Sequence, residues 1–83
     1  MLLKPIAVKI EDIYVPAGRR KEIDAEKVAS TIEKLMDDTD LPPIHVRKGD
    51  GRYVLIKGVN RLEARKEVGD EQVEVLVVAA RQF

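Results

Sequence analysis

The sequence predicts an α+β fold, in which a small mixed four-stranded sheet carries two main helices in the order β–α–β–β–α–β. Three observations lead there. Apolar residues alternate or cluster in four short segments, one longer segment repeats at helical spacing, and Pro or Gly marks most of the junctions between them. The 83 residues form one small domain, residues 1–83, whose surface-to-volume ratio allows only a modest core.

After Pro5, the residues Ile6, Val8 and Ile10 alternate with Ala7 and Lys9, which marks a half-buried first strand. Tyr14 to Lys21 contains Pro16 and Gly18, has no period and is read as a basic loop. Asp24 has the side chain of a helix N-cap and Glu26 lies where the helix dipole favours an acid, so a helix is predicted over 24–37. Its apolar residues Val28, Ala29, Ile32, Leu35 and Met36 are expected to face the core, with Lys27, Ser30 and Lys34 on the neighbouring polar stripe.

Pro42 and Pro43 cannot continue that helix. Ile44 to Arg47 reads as a short strand, Lys48 to Gly51 as a hairpin turn of Asp-Gly type, and 52–57 as the next strand. A helix over 59–68 stops near Gly69, a residue suited to a left-handed cap, and Val73 to Val78 forms the last strand.

A hydrophobic fraction of 45% is globular, and no apolar run approaches a membrane span. The opening Met-Leu-Leu-Lys-Pro reaches charge too early for a signal peptide. There is no Cys, which excludes disulfides, thiolate zinc sites and thiol catalysis and fits a cytoplasmic location. Net charge is zero, yet it is unevenly spread: residues 1–23 carry +2, 24–41 carry −4, 42–67 carry +4 and 68–83 carry −2.

The positive block holds the segment richest in chemical meaning. Tyr53 to Ile56 are strand formers, Gly58 permits a tight turn, and Leu62, Ala64, Arg65 and Glu67 favour helix. A strand that delivers a helix N-terminus beside Arg61 makes an anion site, most naturally for phosphate.

Three segments together resemble the ParB/sulfiredoxin superfamily, in the ParB N-terminal domain-like form, from about Ile6 to Val78. Arg20-Lys-Glu-Ile-Asp24 with Lys27-Val-Ala-Ser30 is similar to the family's Arg-bearing loop and to the Lys-Val-x-Ser motif with which sulfiredoxins contact nucleotide. Leu41-Pro-Pro-Ile-His-Val-Arg47 resembles the Pro-Pro-Ile-x-Val strand, and Lys57-Gly-Val-Asn-Arg-Leu-Glu-Ala64 occupies the place of sulfiredoxin Gly-Cys-His-Arg and ParB Gly-Glu-Arg-Arg.

The departures narrow what the resemblance implies. Val59 stands where sulfiredoxin has its catalytic Cys, which excludes sulfiredoxin activity, and where ParB has its metal-organising Glu. Asn60 replaces the next ParB Arg, which weakens the case for hydrolysis of cytidine triphosphate. ParB proteins also carry helix-turn-helix and dimerisation domains that these residues do not contain. The resemblance leaves Gly58, Asn60, Arg61, Arg20, Lys27 and Ser30 as candidate nucleotide- or phosphate-binding residues, with no catalytic residue and no metal ligand.

Each candidate has a plainer alternative. Arg61 either grips phosphate with its fork of donors or is a solvated helix residue whose replacement leaves the fold intact. Asn60 is either a helix N-cap or a ligand contact, and Lys27 and Ser30 are ordinary on a polar helix face. His45, the only His, has no nucleophile beside it in sequence, and Asp37, Asp38 and Asp40 read as a solvated turn.

The expected function is that of a nucleotide- or phosphate-binding ParB-like module in a DNA-related process: partition, plasmid maintenance or transcription control. Its expected ligand is a nucleoside triphosphate or diphosphate, with Mg2+ left open. DNA or a DNA-bound protein is a second partner, weakly held, and no membrane is involved. The rivals are a nucleotide hydrolase or nuclease, for which Glu63 and Glu67 are the only nearby carboxylates, and a protein-interaction adaptor that binds no ligand.

Overall fold

A computed structural model describes residues 4–78, so the Met1 to Leu3 opening, read above for targeting signals, lies outside the described residues. Strands are β1 (Ile6–Lys9), β2 (Ile13–Tyr14), β3 (Ile44–Lys48), β4 (Tyr53–Lys57) and β5 (Gln72–Val77); helices are α1 (Ala17–Arg20), α2 (Ala25–Met36) and α3 (Val59–Glu67). The sheet order is β1-β5-β3-β4-β2. The α+β class and the mixed sheet are as predicted, but the strands number five rather than four.

The extra strand and helix both come from the stretch around the basic loop. Ile10–Asp12 form one 3-10 turn, so β1 ends before Ile10. Ile13 and Tyr14 then pair parallel with Tyr53 and Val54, and Pro16 opens the single turn of α1. Neither element is long enough to show a period.

The remaining elements follow their local chemistry. The Asp24 carboxylate accepts from the amides of Glu26 and Lys27 at 2.9 and 3.4 Å, capping α2 as expected. α3 closes on Gly69, whose φ of 85° is left-handed, with the Gly69 amide donating to the Lys66 carbonyl at 3.0 Å. β3 and β4 pair antiparallel across the turn, where the Gly49 amide donates to the Arg52 carbonyl at 2.7 Å.

The core lies between one face of the sheet and α3. Ile44, Val46, Leu55, Leu62 and Val75 are fully buried, joined by Val8, Ile13, Val59 and Val73. Burying such side chains is worth roughly 1.5–3 kcal/mol each, so this small group carries most of the driving force. α2 departs from expectation, because no residue of it is buried. Val28, Ile32 and Leu35 are half-buried, while Ala29 is exposed and Met36 is 78% exposed. The helix packs mainly against α3 rather than on the sheet, so its apolar stripe is covered from one side only.

Candidate anion-binding site

β4 hands the chain to α3 through Gly58, and nothing but glycine suits that position. Its φ is 105°, and a Cβ there would stand 2.7 Å from Ile44 Cγ2 and 3.0 Å from Arg61 Nη2. No side chain caps α3 at Gly58. The positive end of the helix therefore has no side-chain partner at its cap position, the kind of helix opening that anions favour.

Asn60 is the second residue of α3 and not its N-cap, which is Gly58. Its Oδ1 accepts the Asp24 amide at 2.8 Å and its Nδ2 donates to the Glu22 carbonyl at 3.3 Å. The side chain thus ties the start of α3 to the start of α2. That bond brings the helix opening near Gly58 alongside the turn that bears Lys27.

Arg61 is half-buried and already engaged, unlike the solvated helix residue weighed above. Its Nη1 donates to the carbonyls of Pro42 and Pro43 at 2.8 and 3.3 Å. Burial lowers the pKa of the guanidinium because desolvation disfavours the charged form. It stays protonated at neutral pH, and among the described residues no carboxylate pairs with it. A desolvated cation without a counter-charge favours an incoming anion.

Beside Arg61 lies a concavity of about 470 Å³, walled by Thr31 and Lys34 of α2, the 41–43 segment, His45 of β3, Lys57 of β4 and Leu76 of β5. Among the described residues no carboxylate lines it. Lys57 reaches this wall through a slip in register. Val46 stands opposite Leu55, but His45 stands opposite Lys57, so Ile56 is an extra residue in β4. In a regular strand Lys57 would share the core face of Leu55; the extra residue turns it to the face of His45.

Of the six candidates, Arg61 alone lines this concavity. Lys27 and Ser30 are exposed on α2, and Arg20 is exposed at the end of α1, which packs near β4. Lys34, His45 and Lys57 were not singled out as ligands by sequence. Lys34 had a signal, since it continues the Lys27–Ser30 stripe, whereas the His45–Lys57 pairing has none without the register. Val59, in the position of the family's reactive residue, is a buried core side chain. Among the described residues no group of three or more His, Asp or Glu side chains could hold a metal ion, and no helix is long and apolar enough to cross a membrane.

The sequence profile of the ParB N-terminal domain matches residues 4–82. The chain belongs to the ParB N-terminal domain family. No curated protein sequence matches it. Among solved structures, sulfiredoxin from Arabidopsis thaliana is similar at 23% identity and a TM-score of 0.80, over 93% of this chain and 86% of that one. The C-terminally truncated chromosome-partitioning protein ParB from Caulobacter crescentus, complexed with CTP-gamma-S, is similar at 22% identity and a TM-score of 0.77, over 95% and 46%.

A free serine kinase variant in complex with AMP has 11% identity and a TM-score of 0.79, over 92% and 31%. The chain thus spans less than half of the ParB and kinase chains. At these identities the likeness establishes the fold, and two of these neighbours, ParB with CTP-gamma-S and the kinase with AMP, hold nucleotides.

Proposed function

We propose that this ParB N-terminal domain is a nucleotide- or phosphate-binding module acting in a DNA-related process such as partition, plasmid maintenance or transcription control. The observation that carries the reading is the uncapped start of α3 at Gly58, set beside a desolvated Arg61 and a concavity lined by basic side chains and no acid. Phosphate oxygens accept from the amides of the first turn, at Gly58 to Arg61, and Arg61 supplies fixed charge. Lys27 and Ser30 provide side contacts from α2, and Arg20 adds charge from α1. The CTP-gamma-S complex of ParB and the AMP complex of the kinase support a nucleotide as the ligand class, and the former alone supports a nucleoside triphosphate.

The lining fits phosphate and offers no carboxylate to Mg2+. Any Mg2+ is carried by the phosphates themselves. Hydrolysis gains no support from Glu63, whose carboxylate pairs with Lys66 at 3.1 Å away from this wall. Calorimetric titration with nucleotides, with and without magnesium, followed by product analysis, tests the reading. Saturable binding without turnover is the expected result; turnover would make the domain a hydrolase, and no binding of any nucleotide would leave the adaptor role.

A further inference from the structure

We propose that Lys34, His45 and Lys57 form a subsite for the terminal phosphate of a polyphosphate chain, so that the site selects nucleoside di- and triphosphates over monophosphates. The inference rests on the proposed function and adds residues of this chain to it. Three basic side chains converge from α2, β3 and β4 on one wall. None of the described lining residues is acidic: α3 contributes Arg61, β5 contributes Leu76, and the 41–43 segment is uncharged, while Glu74 of β5 lies in the neighbouring hollow on the other side of Arg61.

Arg61 cannot serve this wall as a mobile group, because Pro42 and Pro43 hold its guanidinium at the base of α3. Charge farther from the helix start must come from Lys34 and Lys57, both exposed and without an ion pair among the described residues. An anion that enters between them is attracted by each. The volume of about 470 Å³ lies within the range of small-molecule sites. Arg61 is common to the first turn of α3 and to this wall, so a polyphosphate chain that starts at the α3 amides would pass from one to the other beside it.

The slip at Ile56 is what assembles the subsite, since it alone sets Lys57 opposite His45. The His45 imidazole adds a ring nitrogen that can donate a hydrogen bond to a terminal phosphate oxygen.

The test uses the whole chain and its single histidine, whose two carbon-bound ring protons give NMR signals free of overlap from any other histidine. Nucleoside mono-, di- and triphosphates of one base, and inorganic tripolyphosphate, are titrated into the wild type and a Lys34→Gln/Lys57→Gln variant. Unchanged circular dichroism and melting temperature serve as the control for folding. The expected result is a triphosphate bound about ten-fold tighter than the monophosphate, one charged contact's worth. The double variant loses that preference and keeps its monophosphate affinity, and the His45 signal moves with triphosphate alone.

Equal loss of mono- and triphosphate affinity in the variant, or a His45 signal that stays still while the Gly58 to Arg61 amides shift, overturns the subsite and leaves the proposed function standing. Tripolyphosphate moving His45 with no nucleotide bound supports the subsite and removes the nucleotide reading. Silence at both places overturns both.

Discussion

Asn60 and Asp24 join the two main helices at their beginnings: the Asn60 side-chain oxygen accepts the Asp24 amide at 2.8 Å, and the same Asp24 caps α2 with its carboxylate. One residue therefore donates a bond to α3 and accepts bonds from its own helix. Asn60→Ala is expected to cost about 1 kcal/mol, measured as a lower urea midpoint with an unchanged slope. Asp24→Ala removes a cap at about the same cost. The double variant should lose less than the sum, because both changes loosen the same turn; full additivity would show that the two bonds act independently.

Gly58→Ala is expected to destabilise the fold by roughly 2–4 kcal/mol, combining left-handed backbone strain with contact against Ile44. Adding Ile44→Val should not rescue it, because valine keeps the β carbon and the Cγ2 that the new methyl meets at 3.0 and 2.7 Å. Rescue by that second change in chemical denaturation would show that the strand and helix approach each other differently.

Arg61→Ala is expected to cost about 1–2 kcal/mol, since the carbonyls of Pro42 and Pro43 lose their shared donor. The sequence alone pointed to a smaller effect from a solvent-facing charge. Arg61→Lys keeps the charge but not the fork, and should recover part of the stability. A thermal midpoint for Arg61→Ala equal to wild type would mean that the side chain is free in solution.

Leu62→Ala and Met36→Ser separate the buried helix from the covered-on-one-side helix. Leu62 is fully buried, and its truncation is expected to cost about 2–5 kcal/mol. Met36 is 78% exposed, and its replacement should change stability by less than about 0.5 kcal/mol. A large loss at Met36 in denaturant titration would reveal packing on α2 that the fold does not show.

Sequence-specific duplex DNA binding is not expected from these residues. Net charge is zero and aromatic content is 4%, short of a basic surface with stacking rings. Arg47, Lys48 and Arg52 on the β3–β4 hairpin can touch phosphates, but such contacts weaken steeply with salt. Anisotropy titration against a mixed duplex pool should show weak association that vanishes near physiological salt. A selected sequence held below about micromolar there would overturn the expectation.

What was legible in the sequence was local chemistry. Asp24, Gly69 and the Asp50-Gly51 turn mark boundaries through bonds or backbone angles within a few residues, and those boundaries hold to within a residue or two. β2 was invisible because it has two residues whose partners, Tyr53 and Val54, lie far along the chain. The periodic stripe of α2 was real, but periodicity reports which face is apolar and not how much neighbouring structure covers it. Gly58 and Arg61 were readable as a helix opening, whereas their packing against Ile44, Pro42 and Pro43 depends on the tertiary approach of two segments. The basic wall depends on one extra residue at Ile56, and nothing about an isoleucine between leucine and lysine announces a slip.

The pairing of β1 with β5 sets the tempo of folding. Ile6 stands opposite Val75, and among the described residues β1 has no other strand beside it. Until β5 is docked against β3, the first strand has nothing to join, so its closure spans nearly the whole described chain. Loop closure of that length must be completed before its contacts reward it, and chains dominated by such distant pairings fold more slowly than helical ones of equal size. In stopped-flow refolding, the β3–β4 hairpin and α3, adjacent in sequence, should acquire protection first, and the β1 amides should remain open to exchange until the final kinetic phase.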